Sequence, residues 1–377
     1  MIVDRIHRLS RNYIFPVLLM LSFTIAGTEW PIFRGNPQLT GTATAYIPAD
    51  LELIWIFETG DAIQSSAVIS EGIVFVASTD GSLYAIGLDS GEMIWTFASV
   101  YPIEAPPLVL EGQIFVGSVE GILYCLSAET GQELWRYTTD GQINGSVNWL
   151  MSNEKAQIIF GSYDNHIHCL NASSGELIWK HEITHFINGT PATDGTYVVF
   201  GGCDGFIHVL SGKDGSELRA IDVMSYVAGS PALSNNSIYV GNYSGVFYQL
   251  DLTAGDVAWS MGDSESSAPI LSSPAVTESM VIYGSRDHHL YCRNRNTGRP
   301  IWEFETLRDI DGSPVATDGK VIFGSMDGHL HVVDQYSGES IWSYDLGSPL
   351  SASPAVIHNH IIIGAEDGFV YAFRGIR

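Results

Sequence analysis

The sequence contains one phrase repeated eight times along most of its length. Each copy begins with a small residue, continues with an acidic turn and ends in an aromatic-bearing segment. The copies begin at Ala77, Gly117, Gly161, Gly201, Gly241, Gly284, Gly324 and Gly364, with five steps of 40 residues and two of 44 and 43. Such a period is typical of one supersecondary unit that stacks on copies of itself, and it therefore decides the fold class.

Each copy has the residue pattern of four short antiparallel strands. In the second copy, the apolar segment 114–117 leads to Glu120-Gly121, an acid–glycine pair typical of a tight hairpin turn that needs positive φ. A further strand at 122–126 leads to a second turn at 129–131 and to a strand carrying Trp135. A Ser/Pro-rich stretch before these segments supplies the remaining strand. Four strands in about 40 residues make one blade of a β-propeller.

Aromatic residues recur at two positions of the copy. Four residues after the turn acid, an aromatic or histidine is predicted to pack in the core: Tyr84, Tyr124, His168, His208, Tyr248, Tyr291, His331 and Tyr371. A tryptophan near the end of the copy is predicted to pack between neighbouring blades: Trp95, Trp135, Trp179, Trp259, Trp302 and Trp342. Arg219 takes that position in the fourth copy, either with its stem along apolar surface or as a partner contact.

The eighth copy ends at the C-terminus without its last strand. Residues 53–57, Leu-Ile-Trp-Ile-Phe, have the pattern of that missing strand. We therefore expect residues 51–60 to complete the last blade, because closing the ring removes two open sheet edges. The predicted fold is all-β, an eight-bladed β-propeller of four-stranded antiparallel blades that spans residues 51–377 as a single domain.

The first residues have the pattern of a secretory signal peptide. Arg5, Arg8 and Arg11 precede an apolar run of 14 residues at 13–26, which is short for a membrane span of about 20 residues. Residues 1–27 are therefore predicted to be a signal peptide, with an uncleaved anchor as the alternative, and residues 28–50 to be a lead-in arm. No cysteine lies near the cleavage position, so we expect a periplasmic or extracellular protein without a lipid anchor.

The net negative charge of the chain limits the kinds of molecule that it can bind. Without residues 1–27 the chain has 14 basic and 41 acidic side chains, a net charge near −27. So acidic a surface cannot neutralise phosphate, which argues against nucleic acid and against insertion into anionic membranes. We expect a monomer that binds a protein partner. Equivalent spacing in different blades predicts that the cysteines (Cys125, Cys169, Cys203 and Cys292) are unpaired, and we expect all four to be small core residues.

The candidate site is the set of residues that begin the innermost strands. Aligned by the repeat, six of these eight positions are polar, and propeller geometry predicts that they surround one mouth of the central channel. They are Gln64, Glu104, Asn144, Asn188, Asp311 and Ser351, with Ala228 and Leu271 at the two remaining positions. Their oxygen atoms suit a cation, a quinone or a peptide tip, although polar residues at a wet channel mouth need no ligand.

Two histidine patterns favour packing over catalysis. His181-Glu182-Ile183-Thr184-His185 matches HExxH, but zinc proteases need this pattern on a helix, and here it follows Trp179 where a strand end is predicted. His-x-His at 166–168 and 329–331 puts histidine where other copies carry tyrosine. No catalytic residue and no metal site is assigned from the sequence.

The phrases DGSLYAIGLDSGEMIW (80–95) and DGHLHVVDQYSGESIW (327–342) resemble the pyrroloquinoline quinone (PQQ) repeat family. The N-terminal Trp30-Pro-Ile-Phe-Arg-Gly-Asn is also similar to the lead-in of secreted members. This family includes BamB-type periplasmic scaffolds, which take part in assembly of outer-membrane β-barrels, and quinoprotein alcohol dehydrogenases.

The resemblance implies two alternatives for function, and the sequence leaves a third open. The first is a non-enzymatic scaffold that binds the outer-membrane assembly machinery, with no cofactor. The second is a quinoprotein oxidoreductase with PQQ and Ca²⁺ at the channel mouth, although the vicinal cysteine pair and the haem motif of those enzymes are absent here. The third is an extracellular carbohydrate- or peptide-binding propeller. The repeat itself is a packing motif and does not choose among them.

Overall fold

The repeat folds as the predicted eight-bladed β-propeller. A computed structural model describes residues 27–262 and 268–376, which form eight four-stranded antiparallel sheets arranged in a ring. The predicted all-β fold class is therefore confirmed. The predicted signal peptide, residues 1–27, lies outside the described residues except for Gly27. Within the described part of the chain, no helix is long and apolar enough to cross a membrane.

The strands follow in chain order, with blade 1 beginning at β2. Blade 8 takes β1 (Leu51–Glu58) as its outer strand. Blades 1 and 2 consist of β2 (Val68–Ser70), β3 (Ile73–Ala77), β4 (Ser82–Gly87), β5 (Met93–Ala98), β6 (Leu108–Leu110), β7 (Gln113–Gly117), β8 (Ile122–Ser127) and β9 (Glu133–Thr138). Blades 3 and 4 consist of β10 (Asn148–Ser152), β11 (Lys155–Gly161), β12 (His166–Asn171), β13 (Leu177–Glu182), β14 (Ala192–Thr193), β15 (Tyr197–Gly201), β16 (Phe206–Ser211) and β17 (Glu217–Asp222).

The second half of the ring repeats this arrangement. Blades 5 and 6 consist of β18 (Ala232–Ser234), β19 (Ser237–Gly241), β20 (Phe247–Asp251), β21 (Val257–Met261), β22 (Ala275–Val276), β23 (Met280–Gly284), β24 (His289–Asn294) and β25 (Pro300–Glu305). Blades 7 and 8 consist of β26 (Val315–Thr317), β27 (Lys320–Gly324), β28 (His329–Asp334), β29 (Ser340–Asp345), β30 (Ala355–Ile357), β31 (His360–Gly364) and β32 (Phe369–Gly375). The first strand of each blade lies at the channel and the last at the circumference.

The ring is closed by the N-terminal strand, as predicted. β1 pairs antiparallel with β32, from Leu51 opposite Gly375 to Glu58 opposite Phe369. Trp55 on β1 donates its indole N–H to the carbonyl of Leu88 in blade 1, at 2.7 Å. The first and last segments of the propeller are thus joined through one blade, which leaves no open edge there.

The tryptophans pack between neighbouring blades, which confirms their predicted role. Trp95 of blade 1 donates to the carbonyl of Ala128 in blade 2 at 3.1 Å, and its ring lies against Gly131. A Cβ on Gly131 would lie 2.5 Å from that ring, so the turn needs glycine there. Arg219 occupies the same position in blade 4, where its Cδ lies close to Gly255. The aliphatic stem of Arg219 therefore takes part of the tryptophan's place.

In five of the eight blades the turn acid and the aromatic or histidine four residues later are hydrogen-bonded partners. Tyr84 donates to Asp80 at 2.6 Å, and the equivalent tyrosines of blades 6 and 8 repeat this bond at 2.6 and 2.9 Å. In blades 3 and 4 histidine replaces tyrosine and still contacts the acid: His168 Nε2 lies 3.1 Å from Asp164. His168 stacks on Phe160 with 5.2 Å between ring centroids. These histidines are packing residues, as predicted.

Residues 28–50 run around one face of the ring and bond to the blades in turn. Trp30 exchanges two backbone hydrogen bonds with Ile69 of blade 1, and the carbonyl of Tyr46 accepts from Asn359 of blade 8. Between these ends the arm bonds to inner strands through pairs Pro31–Val109, Pro37–Thr193, Gln38–Leu233, Thr40–Val276 and Ala43–Ala316. The arm therefore covers the face opposite the predicted channel mouth.

The four cysteines are unpaired. Cys125, Cys169 and Cys292 are buried in core clusters, and burial raises the pKa of each thiol to about 12. Cys203 is partly exposed, so it is the exception to the core prediction.

Candidate functional site

The predicted ring residues surround one cavity at the end of the channel that the arm leaves open. All six polar positions line it, together with Ala228 and Leu271, and its volume is about 180 Å³. We call this cavity the cup; its predicted residues are Gln64, Glu104, Asn144, Asn188, Asp311 and Ser351. The structure thus brings together side chains from eight different blades, while their use as a binding site stays a prediction.

Each cup residue is fixed by the aliphatic residue before it. Ile187, which precedes Asn188, is fully buried, and its backbone N–H bonds to the carbonyl of Ser162 in blade 3. A Cβ on Gly161 would lie 2.2 Å from the Ile187 side chain. The leading glycine of the repeat therefore makes room for this wedge, which holds the cup residue at the channel.

A belt of hydroxyls lies two residues further along each inner strand, and sequence reasoning did not predict it. Six backbone N–H groups of the belt each donate to the hydroxyl of the next blade at 2.8 to 2.9 Å, and these bonds link Ser146, Thr190, Ser230, Ser273, Ser313, Ser353 and Ser66 in that order. Pro106 interrupts the belt at blade 2, because it has neither the hydroxyl nor the N–H. Hydroxyl–proline pairs such as Ser230-Pro231 were the available sequence signal.

The N-terminal arm forms the floor of the cup. Phe33 lines the cavity from below. Its neighbour Arg34 is 1% exposed and donates to the carbonyl of Pro314 at 2.6 Å. Burial lowers the pKa of Arg34 to about 9. The channel is therefore a blind cup rather than an open pore.

Some cup side chains already have hydrogen-bond partners within the protein, and others are available to a ligand. Asp311 accepts two bonds from Arg286, at 2.9 and 2.8 Å, and this bonding raises the pKa of Arg286. Asn188 accepts from Tyr163 at 2.6 Å. Within the described residues, no basic side chain lies within 4.0 Å of Glu104, and the Oδ1 atom of Asn144 is buried without a hydrogen-bond partner. The Oγ atom of Ser351 is likewise buried without a hydrogen-bond partner. The available acceptors thus belong to blades 2, 3 and 8.

Exposed apolar and aromatic side chains surround the cup. They lie on the loops that lead from an outer strand to the next inner strand, or on the adjacent hairpin turns: Val100, Tyr101, Phe186, Met224, Tyr226, Tyr243 and Leu307. Tyr163 stacks on Phe186 with 4.8 Å between ring centroids. Burial, followed by the charges of Cys203 and Glu104, raises the pKa of Tyr163. We call these seven exposed residues the apolar rim.

The HExxH pattern does not lie on a helix. His181 and Glu182 end strand β13, and His185 lies in the following loop, so the HExxH residues do not share a helix face. Across the ranges that the structure describes, no group of three or more His, Cys, Asp or Glu side chains is arranged to hold a metal ion.

Solved structures show the same fold at low sequence identity. The quinohemoprotein alcohol dehydrogenase of Comamonas testosteroni aligns with a TM-score of 0.80 at 14% identity, over 93% of this chain and 81% of that one. BamB from Moraxella catarrhalis aligns with a TM-score of 0.72 at 22% identity, over 86% of this chain and 98% of that one. The computationally designed Ika8 protein aligns with a TM-score of 0.74 at 19% identity, over 84% and 97%.

A match to a sequence family identifies the family of this chain. No curated protein sequence matches this chain. The family described as outer membrane protein assembly factor BamB matches residues 40–186, 163–303 and 286–375. These three ranges together cover nearly the whole described propeller. The chain therefore belongs to the BamB family of PQQ-repeat β-propellers.

Proposed function

We propose that this protein is a non-enzymatic periplasmic scaffold that binds a protein of the outer-membrane assembly machinery through the face bearing the cup. Membership of the BamB family supports this choice of pathway. Under this proposal the propeller carries no resident cofactor, and the polar ring of the cup contacts the partner.

The observation that carries the proposal is the apolar rim. Met224 is 82% exposed, Leu307 79% and Tyr226 58%, all on the cup face. Tyrosine, phenylalanine and methionine are enriched in protein interfaces, where they supply large contact area. A rim of such side chains around a polar centre suits a protein surface better than a small solute.

Site-specific photocrosslinking in the native envelope tests the proposal. A photoreactive phenylalanine analogue at Tyr226 should crosslink to a component of the outer-membrane assembly machinery. Tyr336 provides the matched control, because it is 64% exposed and lies in a turn on the opposite face. A crosslink from position 336 but none from 226 would place the interface on the wrong face, and crosslinks to unrelated proteins alone would contradict the assigned pathway.

The quinoprotein alternative fits the cup less well. Pockets that enclose ligands of drug size measure about 300–1,000 Å³, whereas the cup measures about 180 Å³. Asp311, one of its two carboxylates, is already bonded to Arg286. Adding PQQ and Ca²⁺ to the purified protein is expected to give no bound-quinone spectrum and no dye-coupled alcohol oxidation. Turnover that disappears in Glu104→Gln would favour the enzyme instead.

A further inference from the structure

A second cavity lies between blades 1 and 2, on the face that carries the arm. Its volume is about 600 Å³, within the usual range for ligand sites. Apolar side chains form much of its wall: Ile73, Phe75, Ile94, Val109 and Ala128. Three carboxylates complete it: Glu71, Glu111 and Glu129. We call this cavity the blade 1–2 cleft.

The equivalent groove between blades 5 and 6 is filled by an arginine of the chain. Arg295 is 5% exposed, and its guanidinium lies 5.4 Å from the centroid of the Tyr239 ring. It donates to the Tyr239 hydroxyl at 2.9 Å and to the carbonyls of Thr277 at 2.9 Å and Ser234 at 3.0 Å. The groove between blades 5 and 6 therefore shows how this fold can bind a guanidinium between two blades.

The interblade tryptophans show that Ala128 and Arg295 occupy equivalent positions in their blades. Trp259 donates to the Arg295 carbonyl at 3.0 Å, and Trp95 donates to the Ala128 carbonyl at 3.1 Å. Ala128 has no side chain that could fill the groove. Ala128 thus leaves unfilled the space that Arg295 fills in blade 6.

The groups that bind the guanidinium have counterparts in the cleft. By repeat position, Phe75 replaces Tyr239, and the carbonyls of Ser70 and Leu110 replace those of Ser234 and Thr277; this correspondence follows from the alignment of the copies. Phe75 lines the cleft but has no hydroxyl, and at 1% exposure it supplies apolar wall rather than an open aromatic face. One guanidinium donor would therefore need another acceptor.

The carboxylates supply that acceptor and an excess of negative charge. Glu71, Glu111 and Glu129 stand where the filled groove has Asn235, Glu278 and Asn296. The cleft lining contains no Lys, Arg or His. Nor does any described basic side chain form an ion pair with these three carboxylates. Compared with the filled groove, the cleft therefore lacks the arginine and has two more carboxylates.

We propose that the blade 1–2 cleft binds an arginine side chain presented by a partner protein. The guanidinium lies in the cleft beside the buried Phe75 and donates to the carbonyl of Ser70 and to the carboxylates. The apolar wall around Ile73 and Val109 receives a neighbouring apolar side chain of the same partner segment. This site is separate from the cup, so it stands whether or not the cup face binds the assembly machinery.

Titration with a capped arginine tests the chemistry. Nα-acetyl-arginine methylamide should bind with a Kd of about 1 mM or lower by NMR shift perturbation, and its neutral isostere, the citrulline derivative, at least tenfold more weakly. The capped tripeptide Leu-Arg-Leu should bind at least tenfold more tightly than capped arginine. Equal binding of citrulline and arginine would overturn the proposal, and no gain from the tripeptide would overturn the partner-protein assignment.

A variant that fills the cleft with a side chain of the protein itself gives the most direct test. Ala128→Arg should place a guanidinium as in blade 6, abolish binding of capped arginine and raise the melting temperature. Undiminished binding to a folded Ala128→Arg protein would contradict the proposal.

Carboxylate variants test the site without filling it. Glu71→Gln and Glu111→Gln should each weaken binding about three- to tenfold, since charge-assisted hydrogen bonds are lost. Glu154→Gln is the matched control, because Glu154 lies in the equivalent turn of blade 3. Equal weakening by all three substitutions would show that binding of capped arginine depends only on the overall charge of the protein. That result would contradict a defined binding site.

Discussion

At the scale of single residues, one contact explains the leading glycine that seven of the eight repeats carry. A Cβ on Gly161 would meet Ile187 at 2.2 Å, and one on Gly117 would meet Ile143 at 2.3 Å. Gly161→Ala should therefore destabilise the protein by about 1–3 kcal/mol through overpacking, measured by urea unfolding. In an Ile187→Ala background the same substitution should cost far less. Equal costs in both backgrounds would show that the wedge is not the cause.

The histidine in blade 7 makes stability depend on pH. Burial lowers the pKa of His331 to about 4, and Phe323 stacks on it with 5.0 Å between ring centroids. Above pH 6.5 the imidazole is neutral in both folded and unfolded chains. Between pH 6.5 and 4 the unfolded chain takes up a proton that the folded chain refuses, so stability falls as pH falls.

His331→Tyr should remove this dependence. Tyrosine is the residue of this position in blades 1, 2, 5, 6 and 8, and it does not titrate between pH 4 and 7. From pH 7 to 4.5, wild type should lose about 2–3 kcal/mol more than the variant, measured by urea unfolding at both values. His185→Tyr, at an exposed position, is the control. A parallel loss in wild type and His331→Tyr would disprove the linkage.

At the scale of the strand, β17 is the outer strand that lacks the interblade tryptophan. Arg219 lies against Gly255 there, and the carbonyl of Leu252 stands in the position that accepts the indole N–H elsewhere, as Leu88 does for Trp55. Arg219→Trp should raise the free energy of unfolding by about 1 kcal/mol. Trp135→Arg, the reverse change in blade 2, should lower it. Destabilisation by Arg219→Trp would mean that blade 4 has no room for an indole.

The strand pattern was predictable, but the contacts between strands were less so. Period and turn residues gave the eight blades and the closing β1, because hairpins depend on residues close in sequence. The hydroxyl belt from Ser146 to Ser66 depends on inner strands about 40 residues apart, and so does the pairing of Ile187 with Gly161. The cup residues followed from repeat alignment alone, whereas the bonding of Asp311 to Arg286 did not.

At the scale of the whole molecule, closure of the ring depends on β1, which joins the last blade through noncovalent contacts alone. β1 pairs only with β32 in its sheet, and Trp55 ties that strand to blade 1 through the carbonyl of Leu88 and the turn at Gly91. The other interblade tryptophans sit on strands whose sheets are continuous in sequence. Loss of Trp55 should therefore open the ring, while loss of an equivalent tryptophan should loosen one interface.

Hydrogen exchange of the β32 amides measures this difference. Trp55→Ala should raise exchange across Phe369–Gly375 by at least tenfold, because the strand that covers this edge detaches more often. Trp135→Ala removes an equivalent indole from blade 2 and should leave these amides protected while exposing those of β8 and β9. Each variant should lose about 3–5 kcal/mol of stability, so stability alone does not separate them. Equal protection of β32 in both variants would show that Trp55 does not hold the ring closed.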